Sequence, residues 1–94
     1  SPEVRQWFDP HWKVFNECTI LTYDAETQTL VEKRPDRVVY DGQQMVVIDF
    51  KTGAERPEHQ RQVNEYMTLL RHMGYPHVSG YLWYILTNHV LPVK

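Results

Sequence analysis

The dipeptide Asp41-Gly42 lies between two apolar runs, Val38-Val39-Tyr40 and Met45 to Phe50, and constrains the fold more than any other feature. Asp-Gly between apolar residues is a strong hairpin signal, because the turn needs residues that tolerate positive φ. A hairpin fixes which side chains share a sheet face. With a two-residue loop, Tyr40 faces Gln43, Val38 faces Met45 and Asp36 faces Val47. Asp49 is then the diagonal neighbour of Asp36, about 7–8 Å away. With a four-residue loop, Asp36 faces Asp49 directly. Any even loop puts Asp36, Asp49 and Lys51 on one face, since side chains alternate with period two. An odd loop without a compensating bulge would split them across the sheet.

The rest of the chain reads as elements around this hairpin. Ser1-Pro2-Glu3 has Ser at an N-cap and Pro at the first helical position, which predicts a short helix ending before Asp9-Pro10 with Trp7 and Phe8 on its buried face. Val14 to Tyr23 is rich in β-branched and aromatic residues and reads as a strand. After the polar DAETQT connection a second strand begins near Leu30, and Pro35 implies a bulge or an edge position within it. A loop from Thr52 leads to a helix starting near Pro57. Val63, Tyr66, Met67, Leu70 and Met73 recur at helical spacing, so one face is buried. Gly74 stops this helix and Pro76 prevents its return. Val78 to Leu86 predicts a central strand, and Thr87-Asn88 turns the chain into a last strand ending near Val93. The expected order is a short helix, three strands, a long helix and two strands: an α/β (α+β) fold on a mixed sheet.

At 94 residues the chain is one domain, read here as residues 1–94 excised from the C-terminal part of a longer protein. The single Cys18 excludes an internal disulfide framework and a multi-cysteine zinc site, and is expected as a small core residue. A reducing, cytoplasmic setting is the expected one. No run approaches the roughly 20 apolar residues that span a bilayer, so no membrane role is expected. The net charge of −2 is unfavourable for a protein binding nucleic acid through phosphates alone.

Two carboxylates held side by side repel, so one takes up a proton unless a cation joins them. Hard oxygen ligands favour Mg²⁺ or Mn²⁺. Such an ion polarises a phosphoryl group and lowers the pKa of water, and a neighbouring lysine stabilises developing charge. Asp49 follows Met45-Val46-Val47-Ile48 and precedes Phe50, so it is expected to be buried, where a carboxylate is rare without a partner. Taken singly, Asp36 could cap a bulge, Asp49 end a strand and Lys51 be solvated.

The segment RPDRVV…VVIDFKTG, followed by His59 and by Gln62-Val-Asn-Glu-Tyr66, resembles the PD-(D/E)XK nuclease superfamily. It looks most like the RecB-like nuclease domains of bacterial helicase–nucleases and DNA-repair exonucleases. The likeness runs from about Phe15 to the end, with GYLWYI as the strand after the helix. It implies a restriction-endonuclease-like core, with Asp36 and Asp49 as metal ligands, the Phe50 carbonyl as a further ligand and Lys51 as the catalytic lysine. Gln62 and Tyr66 match a QxxxY pair that in the family lies beside the active site and contacts DNA. Glu17, a charge within an apolar strand, is the candidate upstream acid. The family's ligand on a preceding helix, often His, has no counterpart in Ser1 to Phe8, and His11 is expected as an exposed loop residue.

The other histidines, His59, His72, His77 and His89, are expected on helix ends and loops, with His59 nearest the site. Tyr81, Trp83 and Tyr84 are expected to pack in the core. Lys33, Arg34, Arg37, Arg56 and Arg61 form a candidate phosphate-contacting rim, Arg37 being the one assigned to DNA. The resulting expectation is a Mg²⁺-dependent deoxyribonuclease domain acting in DNA repair or recombination, with DNA and helicase domains or subunits as partners. The second reading is a non-catalytic module for DNA docking or subunit assembly.

Overall fold

A computed structural model of the chain describes residues 7, 10–15 and 19–93. The expected N-terminal helix, Glu17 and Cys18 lie outside the described residues, apart from Trp7, which is buried. Among the described residues five strands precede the helix: β1 (Lys13–Phe15), β2 (Ile20–Asp24), β3 (Thr29–Lys33), β4 (Arg37–Tyr40) and β5 (Met45–Lys51). Helix α1 (Pro57–His72) and strands β6 (Val78–Tyr84) and β7 (His89–Val93) follow, with a 3₁₀ turn at Ile85–Thr87 between the last two.

This corrects the expected three strands before the helix. The expected strand from Val14 to Tyr23 is two strands in different sheets, and so is the one carrying Pro35. One sheet has the order β1-β4-β5-β6-β7, and β2 pairs with β3 in a separate two-stranded sheet. Pro35 marks the passage from one sheet to the other, because proline has no N–H with which to continue a ladder. β5 is the central strand, and β6 lies between β5 and β7. β5 and β6 are parallel and the other pairings are antiparallel. A parallel pair needs a crossover, which α1 supplies.

The hairpin takes a four-residue loop, since Tyr40 pairs with Met45 and Val38 with Val47. Asp41 builds this loop: its Oδ1 accepts from the backbone N–H of Gln43 at 2.9 Å and of Gln44 at 2.7 Å. Those bonds hold the Asp41 carboxyl below its usual pKa. Gly42 adopts φ +98°, which a side chain disfavours.

All of Met45 to Asp49 is buried. That continuous run shows both faces of the central strand are covered. On one face Met45 and Val47 meet Val63, Tyr66, Met67 and Leu70 of α1, together with Leu82 and Tyr84. On the other, Val46 and Ile48 pack with Val39 and Trp7, and the rings of Tyr81 and Trp83 close that layer. Trp7 lies 4.7 Å from Tyr81, and Phe50 lies 5.5 Å from Trp83 in an edge-on contact.

Two features set the position of α1. It begins at Pro57 and ends in a Schellman arrangement, in which Gly74 (φ +108°) donates to the Arg71 carbonyl and Tyr75 to that of Leu70. Its middle rests on Gly80 of β6, where an added Cβ would overlap Met67 Sδ and lie 2.6 Å from Val63 Cγ1. Any larger residue there would have to displace these two side chains, so glycine lets them pack directly onto the strand. Among the described residues, no helix is long and apolar enough to cross a membrane.

Candidate active site

Continuing the β4–β5 register one step beyond Arg37–Ile48 brings Asp36 opposite Asp49. Met45 directs its N–H toward β6, to the His77 carbonyl, so by alternation Asp49 also bonds on that side. Asp36 and Asp49 therefore stand as a non-hydrogen-bonded pair, where side chains approach closest. Phe50 points its backbone the other way, and its N–H donates to Asp36 Oδ2 at 2.9 Å. A regular ladder would put Pro35 opposite Phe50, and proline has no N–H for the Phe50 carbonyl. The Pro35-Asp36 pair thus replaces one ladder bond by a carboxylate and leaves the carbonyl beside it without that partner.

Asp49 is 3% exposed and is the buried charged residue of the described core. Its Oδ2 accepts no well-directed hydrogen bond, although the Lys51 ammonium is 2.8 Å away as an ion pair. Burial pushes the Asp49 carboxyl up to about 6, the adjacent Asp36 carboxyl adds to the rise, and Lys51 opposes it. A buried oxygen with spare lone pairs, next to a second carboxylate, suits a hard divalent cation. Among the described residues no group of three or more His, Cys, Asp or Glu is assembled. Asp36 and Asp49 stand there as two carboxylates side by side, and the family resemblance adds the Phe50 carbonyl as an expected third oxygen. Mg²⁺ commonly binds one or two carboxylates and keeps several waters, so this donor set fits it.

Lys51 is held from two sides. Besides the ion pair with Asp49, it donates to Gln62 Oε1 at 3.1 Å. Since lysine only donates, the Gln62 amide must present its oxygen here, and its Nε2 donates to the Tyr66 hydroxyl at 3.0 Å. The i, i+4 spacing of Gln62 and Tyr66 makes this possible. Tyr66 is buried, with its phenol pKa raised first by burial and then by the charges of Asp49 and Asp36. It is thus both a core residue and the end of the polar chain Asp49–Lys51–Gln62–Tyr66. Sequence spacing put Gln62 and Tyr66 on one helix face but carried no sign of the Lys51–Gln62 bond, which is a tertiary contact.

The other expected residues fall elsewhere. Arg37 alternates to the opposite face and donates to the Trp7 carbonyl at 3.4 Å, so it does not join the aspartates. Lys33 pairs with Glu65 at 3.0 Å, Arg34 with Glu32 at 3.3 Å, and Arg56 reaches Glu58 at 4.0 Å. His11 is exposed. His59 lies in the first turn of α1, as expected, and is half-buried: its Nδ1 lies 3.0 Å from the hydroxyl of Tyr84, which the β5–β6 register pairs with Lys51. Tyr84 is missing from the sequence-derived set because an apolar strand context hides a polar contact.

A family model, the PD-(D/E)XK nuclease superfamily, matches residues 6–91. No curated protein matches the chain.

Proposed function

Because the chain belongs to the PD-(D/E)XK nuclease superfamily, we propose that it is a divalent-metal-dependent deoxyribonuclease domain that hydrolyses phosphodiesters. The observation carrying this reading is the buried Asp49 carboxylate with Asp36 on its own sheet face and Lys51 at 2.8 Å. Asp36, Asp49 and the Phe50 carbonyl would hold Mg²⁺ or Mn²⁺. When bound, the cation would polarise the phosphoryl oxygens and lower the pKa of water in the site.

The chain's own groups supply the rest. Lys51 carries a positive charge toward the phosphodiester, where charge develops on oxygen as phosphorus is attacked. Gln62 fixes the direction of that ammonium, and Tyr66 fixes Gln62. The apolar layers around β5 exclude water from the inner side of Asp49, which strengthens every charge interaction there. Glu17 remains the proposed upstream acid. The RecB-like resemblance extends the proposal to a helicase–nuclease or repair exonuclease, with DNA as substrate and helicase domains as partners.

The second reading, a DNA-docking module without catalysis, has one observation in its favour: the Lys51 ammonium lies 2.8 Å from Asp49 Oδ2, as a permanent counter-ion would. Incubating the chain with labelled single- and double-stranded DNA in Mg²⁺ or Mn²⁺ separates the two. Chelator-sensitive cleavage supports the nuclease. Retained binding without cleavage, by this chain and by any longer protein containing it, supports docking.

A further inference from the structure

A second recess opens on the other flank of α1. Gln60, Arg61 and Asn64 share a helix face distinct from that of Gln62 and Tyr66. With Glu55, Arg56 and Tyr84 they border a cavity of about 460 Å³, within the roughly 300–1,000 Å³ of small-molecule sites. Its charges are unevenly committed. Glu55 Oε2 is engaged with His89 Nδ1 at 3.3 Å, whereas Arg56 reaches Glu58 only at 4.0 Å with both side chains largely exposed. Among the described residues Arg61 forms no ion pair or side-chain hydrogen bond, and the side-chain amides of Gln60 and Asn64 form none either.

The recess borders the active site. Tyr84 forms its wall and is the register partner of Lys51 on the adjacent strand, about 4.8 Å away between backbones. The Tyr84 hydroxyl also lies 3.0 Å from His59 Nδ1 at the start of the helix. A strand crossing that start would reach both the recess and the carboxylates.

We infer that this recess holds a nucleotide of the substrate strand next to the scissile phosphodiester, with Arg56 and Arg61 on its phosphate and the Gln60 and Asn64 amides on its base edge. The inference rests on the nuclease reading. Guanidinium groups match phosphate oxygens in pairs. Side-chain amides offer a donor and an acceptor together, which is what a nucleobase edge presents. A free anion would use the arginines and the amide N–H donors but leave the amide oxygens without a donor.

The test is fluorescence anisotropy of labelled oligothymidylate in Ca²⁺, as a function of salt. Arg61→Glu combined with Asn64→Ala is expected to weaken binding about tenfold and to lower the salt slope by about one. Lys13→Glu makes the same charge change at an exposed site on β1, and its expected loss is under about threefold, from screened long-range charge. Residues 61 and 64 are both exposed, so an unchanged melting temperature is the accompanying check on folding. If the double variant binds as wild type does, or loses no more than Lys13→Glu, while cleavage still depends on Asp49 and Lys51, the recess assignment is overturned and the nuclease stands. If the wild-type chain neither binds nor cuts, both fall.

Discussion

Lys51 and Gln62 are joined by a 3.1 Å hydrogen bond from the ammonium to the amide oxygen, and this bond ties the QxxxY pair to the D-x-K strand. Gln62 thereby acts as a positioning residue for Lys51, whatever contact it also makes with DNA. Gln62→Ala is expected to lower kcat about 10- to 100-fold, the scale of a misplaced catalytic group, with KM near the wild-type value. A raised KM with unchanged kcat would instead assign Gln62 to DNA contact alone.

Asp49 predicts an unusual pH dependence for the metal-free chain. Its carboxyl is raised from 3.8 to about 6 by burial and by Asp36. Between those values the folded state holds a proton that the unfolded state has released, so stability falls as pH rises through this window. Below it the loss is absent, and above it the loss is complete, up to about 2–3 kcal/mol from the size of the shift. Asp49→Asn should therefore raise the melting temperature in chelator at pH 7 by several degrees, and the difference should vanish near pH 4. A destabilised Asp49→Asn at pH 7 would mean that the Lys51 ion pair outweighs the cost of burial.

Metal should offset that difference. A cation bound by the folded state stabilises it by about 2.7 kcal/mol at a hundredfold excess over Kd. Mg²⁺ or Mn²⁺ is thus expected to raise the melting temperature of the wild type but not of Asp49→Asn or Asp36→Asn. Equal shifts in all three proteins would place the ion elsewhere.

Gly80→Ala should destabilise the domain by about 1–3 kcal/mol, the range for overpacking, because the new methyl meets Val63 and Met67. Chemical denaturation measures this. Pushing α1 off β6 also moves Gln62 from Lys51, so activity at a temperature where the variant is folded should fall as well. Unchanged stability would show that Met67 swings aside without moving the helix.

Much of this was legible in the residues, and the gaps have physical causes. The helix from Pro57 was readable because its apolar spacing, proline start and glycine stop all agree. Sharing of a face by Asp36, Asp49 and Lys51 followed from an even hairpin loop, and the four-residue loop fulfils it. Pro35 signalled an interruption after Lys33, but the change of sheet there and after Phe15 was not readable, because β-propensity says nothing about which sheet a segment joins. Nor were the Lys51–Gln62 and His59–Tyr84 bonds, since each links residues that only the packing of α1 on β5 and β6 brings together.

The most direct measurement is single-turnover cleavage of end-labelled DNA in Mg²⁺ by wild type, Asp49→Asn and Lys51→Ala, with circular dichroism confirming that all three are folded. Wild type is expected to cut in a chelator-sensitive manner, and both variants to lose activity by about 100-fold or more, the scale for removing a preorganised charge-stabilising group. Cleavage that persists at the wild-type rate in either folded variant would contradict the assignment of this carboxylate–lysine pair as the catalytic centre.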